Sequence, residues 1–457
     1  MTHSFNKNIF REYDIRGIVG CTLTVKDAYF IGHYFANNIK KKFKSCSIVV
    51  GYDGRLSSKI LEKSLIEGML KAGAYVIRIG LSTSPMLYFS AAKIKSDGGI
   101  MITGSHNPSN YNGFKILTKE GSLYGTKIKN LSNGIQIDNS NGRVNDYDIV
   151  DSYISELSKL AEYIEKNLSV VWDPGNGSTG FLIQKLIPHL PGKHYIINGK
   201  VDGTFPSHHP DPTEEKNLVE LKRKVKSVKA NIGIAFDGDG DRLGVVDQNG
   251  NIIAGDKLLL LFSKDILKNN PRATIIGDIK SSEIVFREIK KAGGNPIMWK
   301  TGHSLIKNKM KETNALLAGE MSGHIFFADT YYGFDDGVYA ALRLLKIISK
   351  NFDINNFLNL FSNFYSTPEI KVNCDEKMKF NIIKKIIKIT KNKYKNINLL
   401  DGIRVNMSYG WWLIRASNTQ PAIIIRFEAK NLNYFNNIKK QIYKILSEVD
   451  LNLKFDI

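Results

Sequence analysis

Three times along the chain, a short apolar run ends in a polar, glycine-containing turn and gives way to a segment with helical periodicity. Ser47-Ile48-Val49-Val50 runs into Gly51-Tyr52-Asp53-Gly54-Arg55, and Ser169-Val170-Val171-Trp172 into Asp173-Pro174-Gly175-Asn176-Gly177. Thr274-Ile275-Ile276 runs into Gly277-Asp278-Ile279-Lys280. After the first turn, Ile60, Leu61, Leu65, Met69 and Leu70 recur at helix spacing. Buried strands alternating with helices indicate α/β units with largely parallel pairing. Three similar units suggest three related domains. The pattern changes beyond Ser366-Thr367-Pro368, which reads as a boundary. There Ile382, Ile383, Ile386 and Ile387 sit at helical spacing among lysines, and Ala422–Phe427 reads as a strand. A helix packed on a sheet is expected here in preference to a helix lying on a membrane.

Length agrees with several domains, since 457 residues exceed a single core and suggest about three. No apolar run approaches the ~18 residues needed to span a bilayer. The opening MTHSFNKNIFREYDIRG has no apolar core of a signal peptide. Three separated cysteines, Cys21, Cys46 and Cys374, argue against a disulfide framework or a zinc cluster, so a cytoplasmic protein is expected. The net charge of +20 is spread along the whole chain without a recognition motif. Nucleic-acid binding is therefore not expected, whereas encounter with anionic small molecules such as phosphate esters is favoured.

The densest chemistry is Asp237-Gly238-Asp239-Gly240-Asp241-Arg242, directly after the apolar Ile234-Ala235-Phe236. Alternate residues of an extended segment face one side, so the three carboxylates repel one another unless a cation intervenes. Hard oxygen ligands suit Mg²⁺, and the glycines let the backbone curl around an ion. An EF-hand beginning at Asp237 needs Gly at the sixth place and Glu at the twelfth, but those places hold Arg242 and Gln248. A phosphatase with an aspartyl nucleophile stays open on this stretch alone. A second candidate is Thr103-Gly104-Ser105-His106-Asn107-Pro108, after the run Ile100-Met101-Ile102. Ser105 there is either part of a turn or cap, or, as a phosphoserine beside Mg²⁺ and cations, a phosphoryl donor.

Together the motifs resemble the α-D-phosphohexomutase superfamily, most of all its bacterial phosphomannomutase/phosphoglucomutase branch. The resemblance rests on Phe10–Gly17 (FREYDIRG), Thr103–Pro108, Asp237–Arg242, Gly319–His324 (GEMSGH) and Arg415–Thr419 (RASNT), which follow in family order over nearly the whole chain. Met321 between Glu320 and Ser322 resembles the mannose/glucose branch, since the phosphoglucosamine branch usually carries glutamine there.

This likeness implies three related α/β domains with mixed sheets and a smaller C-terminal α+β domain around a central cleft, with expected limits 1–150, 151–252, 253–366 and 367–457. The implied activity is interconversion of hexose 6-phosphate and hexose 1-phosphate (mannose, glucose or both) through a phosphoserine and a hexose 1,6-bisphosphate, which also serves as activator. Ser105 would carry the phosphoryl group and, with Asp237, Asp239 and Asp241, hold one Mg²⁺. Lys115 and Arg242 would stabilise charge, and His303 and His324 are the candidates for proton transfer, with the choice between them open. Arg415, Ser417, Asn418 and Thr419 offer charge-assisted donors to the non-transferring phosphate. Glu320 and Ser322 would meet sugar hydroxyls, and Tyr13, Arg16 and Lys280 would orient substrate or phosphate. The expected partners are small-molecule sugar phosphates, with neither nucleic acid nor membrane. A monomer is expected, with a dimer as the alternative.

Overall fold

In the computed structural model, residues 3–132, 140–375, 377–418 and 420–449 are described, and they form four sheets in chain order. The first is built on Ser47–Tyr52, which lies parallel to Tyr75–Leu81 on one side and to Gly98–Ile102 on the other. Tyr111–Thr118 then returns antiparallel to Gly98–Ile102, with Ile15–Ile18 beyond it. The second is built on Leu168–Asp173, parallel to Gly192–Ile196 and Ile232–Phe236, with Leu243–Asp247 returning antiparallel. The third is built on Thr274–Asp278, parallel to Asn295–Trp299 and Leu317–Gly319, with Ile325–Phe327 returning antiparallel. One four-strand pattern thus occurs three times.

The expected parallel pairing holds for the inner three strands of each unit. The fourth is antiparallel because it returns through a short turn, where a parallel neighbour would need a helical crossover. The inner strands are apolar on both faces because helices cover both: Val49, Val50, Val170, Val171, Ile275 and Ile276 are all fully buried. On the helix Ser58–Lys71, Leu61, Leu65 and Met69 are buried as their spacing predicts, but Ile60 faces solvent. That helix lies against Val25–Phe43 so closely that a Cβ on Gly32 would sit 2.1 Å from the Leu65 carbonyl oxygen. The pair packs backbone to backbone, and only glycine fits at the contact.

The fourth sheet is antiparallel throughout and carries Lys379–Lys391 and Leu432–Ser447 on one face. Ile382, Ile383 and Ile386 pack under the helix with Trp412, Ile414 and Phe427, while the intervening lysines face solvent. This is the helix on a sheet that the spacing predicts. The opposite face meets the third unit through Trp411, Leu413 and Ile279. Arg404, fully buried, donates to the carbonyls of Ile279 (2.6 Å) and Ser281 (2.9 Å) with its guanidinium 3.8 Å above the Trp411 ring. Such a contact joins charge-assisted hydrogen bonds to cation–π stacking. Among the described residues no helix is long and apolar enough to cross a membrane.

A polar brace ties the second unit to the third. Asp336 caps the helix Gly337–Ile348 by accepting from Tyr339 N (2.9 Å), and accepts also from Tyr153 (2.5 Å) and Tyr331 (2.8 Å). Burial pushes its carboxyl up to about 6, with the two tyrosines and the backbone pulling back. The native state therefore binds this proton more tightly than the unfolded chain does, and the contribution is lost as pH rises toward 6. The thermal midpoint of the wild type relative to Asp336→Asn is expected to fall as the pH is raised from about 4 to 6, by the equivalent of roughly 2 kcal/mol. A midpoint difference independent of pH in scanning calorimetry would contradict it.

Candidate functional site

The three motifs with the densest chemistry occupy one topological position. Each lies on the turn where the third parallel strand of a unit reverses into its antiparallel neighbour: residues 103–110, 237–242 and 320–324. Strand ends in open α/β sheets leave a crevice, and here three such ends face one another.

Asp237, Asp239 and Asp241 are each fully buried, and one oxygen of each lies within 4.8 Å of the others. Burial pushes the Asp237 carboxyl well up, and the neighbouring Asp239 and Asp241 push the same way. Burial acts likewise on Asp239, but the Lys115 ammonium outweighs it and holds that carboxyl below the usual range. Lys115 arrives from the antiparallel strand of the first unit, donating to Asp239 Oδ2 at 2.6 Å and also to Asp241 Oδ2. Ser84 donates to Asp239 Oδ2 at 2.5 Å. Two oxygens, Asp239 Oδ1 and Asp241 Oδ1, are buried without a hydrogen-bond partner. Buried orphan carboxylate oxygens in an all-oxygen set fit a hard divalent cation.

Ser105 sits at φ +47°, a left-handed conformation uncommon for a residue with a side chain, and is 2% exposed. Its Oγ donates to Asp237 Oδ2 at 2.7 Å, while His106 Nδ1 lies 3.3 Å away. The carrier candidate of the first unit thus rests directly on the acidic hairpin of the second. Burial, then Arg242 and Arg16, hold His106 well below the ordinary histidine range.

From the third unit, His324 accepts from Arg242 Nε at 3.1 Å through Nε2 and lies 3.0 Å from Asp335 Oδ2 through Nδ1. The His303 and His324 rings stack with centroids 5.5 Å apart. Burial, then Lys307, hold His303 well below its ordinary range. Asp335 forms a second carboxylate–imidazole group with Asp241 and His303. Lys307, 2.9 Å from Asp335, already balances it. Glu320 is buried, with Oε1 unpartnered and Oε2 at 3.4 Å from the Ser322 hydroxyl.

The fourth sheet closes the far side. Arg415 donates to Asp401 at 3.0 Å, and Asn418 donates to the Tyr13 hydroxyl, which itself donates to the Thr301 carbonyl at 2.7 Å. Lys280 pairs with Glu369 at 2.5 Å, and Arg16 donates to Asn107 Oδ1 and Asp14, each at 2.5 Å. Tyr13, Arg16, Ser105, Lys115, Arg242, Lys280, His303, Glu320, Ser322, His324, Arg415, Ser417 and Asn418 line a single cleft. The three aspartates lie under its floor, one hydrogen bond from Ser105 and Lys115. Thr419 lies outside the described residues.

Four family models match in order, described as phosphoglucomutase/phosphomannomutase alpha/beta/alpha domains I, II and III, over 7–139, 151–250 and 254–364, and the C-terminal domain, over 369–445. The chain belongs to the phosphoglucomutase/phosphomannomutase family. It is 44% identical to a phosphomannomutase/phosphoglucomutase of Pseudomonas aeruginosa, covering 98% of this chain and 97% of that one. It is 40% identical to a phosphoglucomutase of Neisseria gonorrhoeae, covering 97% of each. The crystal structure of a phosphoglucomutase/phosphomannomutase family protein from Burkholderia thailandensis superposes with a TM-score of 0.90 at 38% identity, over 99% of both chains. Enzymes of this phosphohexomutase family use a metal ion.

The cleft also holds residues that the motifs did not signal. Asp211, Thr213, Glu369, Lys371 and Gln420 line it, and Asp335 orients the histidines from behind. Asp335-Asp336 before an apolar helix carries the signature of an N-cap, which Asp336 is, and that masks its neighbour. Lys371 and Gln420 meet the cleft only through the docking of the fourth sheet, which no local pattern encodes.

Removing Lys115 leaves two of the three buried carboxylates, Asp239 and Asp241, without the ammonium that pairs them. Lys115→Met is expected to lower the thermal midpoint in EDTA, by the equivalent of about 3–5 kcal/mol. Millimolar Mg²⁺ should then raise that midpoint further than it raises the wild type's. Equal Mg²⁺ shifts in both proteins would overturn the reading of the hairpin as a cation site.

Proposed function

We propose that the protein is a Mg²⁺-dependent mutase that interconverts mannose or glucose 6-phosphate and the corresponding 1-phosphate, with Ser105 as the phosphoryl carrier. The observation that carries this reading is Ser105 Oγ on the acidic hairpin, across one cleft from the cationic and amide donors of Arg415 and Asn418. A site with a group-transfer residue at one end and an anion socket at the other suits a substrate that carries phosphate at both ends of a sugar in mid-reaction.

In the forward half, a sugar hydroxyl attacks phosphorus on phospho-Ser105. The new sugar O–P bond forms as the Ser105 Oγ–P bond breaks. The sugar hydroxyl proton passes to a histidine of the 303/324 pair, and the leaving Ser105 Oγ takes up a proton to become the hydroxyl that donates to Asp237. His324, held by Asp335 through Nδ1 and by Arg242 through Nε2, and His303, whose ring stacks on it, are the two candidates to accept the sugar proton. Lys115 and Arg242 counter charge on the transferring group, while Arg415, Ser417, Asn418 and Thr419 hold the other phosphate. Glu320 and Ser322 take the sugar hydroxyls, and Tyr13, Arg16 and Lys280 orient the ring and its phosphates. The hexose 1,6-bisphosphate then turns over, and Ser105 Oγ recovers the second phosphoryl group by the same chemistry in reverse. Asp237, Asp239, Asp241 and Ser105 would hold one Mg²⁺, which when bound neutralises phosphoryl oxygens as a Lewis acid. The protein acts in the cytoplasm, as a monomer, on small-molecule sugar phosphates.

Asp237 is poorly placed for the rival phosphatase chemistry. Its Oδ2 receives the Ser105 hydroxyl, its Oδ1 receives Gly240 N (3.0 Å) and Arg242 N (3.2 Å), and none of it is exposed. Given mannose or glucose 1-phosphate, Mg²⁺ and a trace of hexose 1,6-bisphosphate, the protein is expected to accumulate the 6-phosphate without inorganic phosphate. Ser105→Ala should lower turnover by a factor on the order of 10³ or more. Inorganic phosphate as the product, or full turnover by the variant, would sink the reading.

A further inference from the structure

The turn after the central strand of the first unit carries Arg55, whose side chain is fully buried. It does not line the cleft. It lies beneath the 103–111 loop, and its N–H groups meet that loop's backbone carbonyls one by one. NH1 donates to the carbonyls of Pro108 (2.5 Å) and Tyr111 (3.0 Å). NH2 donates to those of Ser105 (2.7 Å) and Asn107 (2.6 Å). Nε faces Asp53 Oδ2 at 3.2 Å, and Asp53 in turn accepts from Thr103 Oγ1 (2.8 Å) and Gly104 N (3.3 Å). Thr103 Oγ1 accepts from Ser105 N at 2.7 Å. All four carbonyls that the guanidinium meets belong to the chain around Ser105.

We infer that Arg55 is the positioning residue of the phosphoryl carrier: its guanidinium gathers four carbonyls of the loop and so imposes the left-handed conformation that aims Ser105 Oγ at the acidic hairpin. This inference rests on Ser105 being the carrier. Four carbonyls converging in a buried loop would otherwise lack partners, and one planar group with five N–H donors satisfies them together. A lysine at the same place has three donors on a single atom and no fork. Gly104 belongs to the same device, since a Cβ there would lie 2.5 Å from Arg55 Cζ.

The clamp reaches the second unit as well. The Arg55 guanidinium packs over the Phe205 ring at 5.0 Å, Gly54 N donates to Ser178 Oγ at 3.1 Å, and a Cβ on Gly203 would lie 2.6 Å from Arg55 Cα. Arg55 thereby sets the carrier loop against the unit that carries the acidic hairpin. The corresponding turn of the third unit ends in Lys280, which enters the cleft and pairs with Glu369. Equivalent turns thus place one cation under the carrier and another beside the substrate.

The test compares wild type, Arg55→Lys and Arg55→Ala with glucose 1-phosphate, Mg²⁺ and a trace of glucose 1,6-bisphosphate. Wild-type conversion alone decides whether the chain is a mutase, so failure there is separate from failure of the clamp. Arg55→Lys is expected to keep KM within about threefold while kcat falls on the order of 30- to 100-fold, because a misplaced reacting group costs rate without costing binding. Guanidinium chloride at millimolar concentration should restore part of kcat to Arg55→Ala and leave wild type unchanged. Should Arg55→Ala not fold, the kcat against KM split of Arg55→Lys decides. A kcat for Arg55→Lys within about threefold of wild type, a loss confined to KM, or a soluble Arg55→Ala that guanidinium does not rescue would each overturn the inference.

Discussion

Three fully buried carboxylates on one hairpin are the constraint around which the molecule is arranged. Asp237, Asp239 and Asp241 come from the second unit, but what neutralises and directs them comes from its neighbours. The first unit sends Lys115, Ser84 and Ser105, and the third sends His324 toward Asp241 and Arg242. An isolated buried carboxylate costs several kcal/mol, so these contacts hold the units in register around the candidate cation site. The two orphan oxygens show that the protein's own donors stop short of satisfying the cluster. Structure and chemistry share one charge balance here.

Repetition explains how so many charged groups reach one place. Each of the first three units turns from its third parallel strand into an antiparallel return, and each turn carries a different part of the chemistry. The first holds a hydroxyl, the second carboxylates, and the third a glutamate and a histidine. A continuous apolar core containing Val49, Val170 and Ile275 runs through all three and keeps their strand ends facing one another. The fourth sheet has a different, antiparallel design and docks on the third unit through Arg404 and Trp411. Its contacts with the other cleft walls are polar: Lys371 with Glu214 at 2.5 Å, and Asn418 with Tyr13. Polar contacts of that kind are compatible with opening for substrate entry.

Much of this was legible from residues. The three strand-turn-helix themes mark the central strands, and the Asp–Gly alternation after an apolar strand marks a candidate cation site without knowledge of the fold. The lysine-interrupted isoleucines of 382–387 predict a helix on a sheet, and Ile382, Ile383 and Ile386 pack in that way. Other features were silent because they exist only in three dimensions. Ile60 fits the helical period yet faces solvent. Arg55 reads as the end of a polar turn, and nothing in its neighbours announces four carbonyls converging on it. Asp335 was hidden behind a helix cap. The antiparallel return in each unit escaped the strand pattern because short apolar runs look alike in either direction.

The functional account reduces to one atom, Ser105 Oγ, held by the clamp beneath it and the hairpin beside it, and its direct measurement is the fate of a label on that atom. Protein radiolabelled as phosphoserine and freed of small molecules would be mixed with unlabelled hexose monophosphate and Mg²⁺ for a single turnover. The account predicts that label leaves Ser105 and appears on hexose bisphosphate and monophosphate, with none as inorganic phosphate. Label that stays on the protein while substrate is converted, or leaves only as inorganic phosphate, would contradict it.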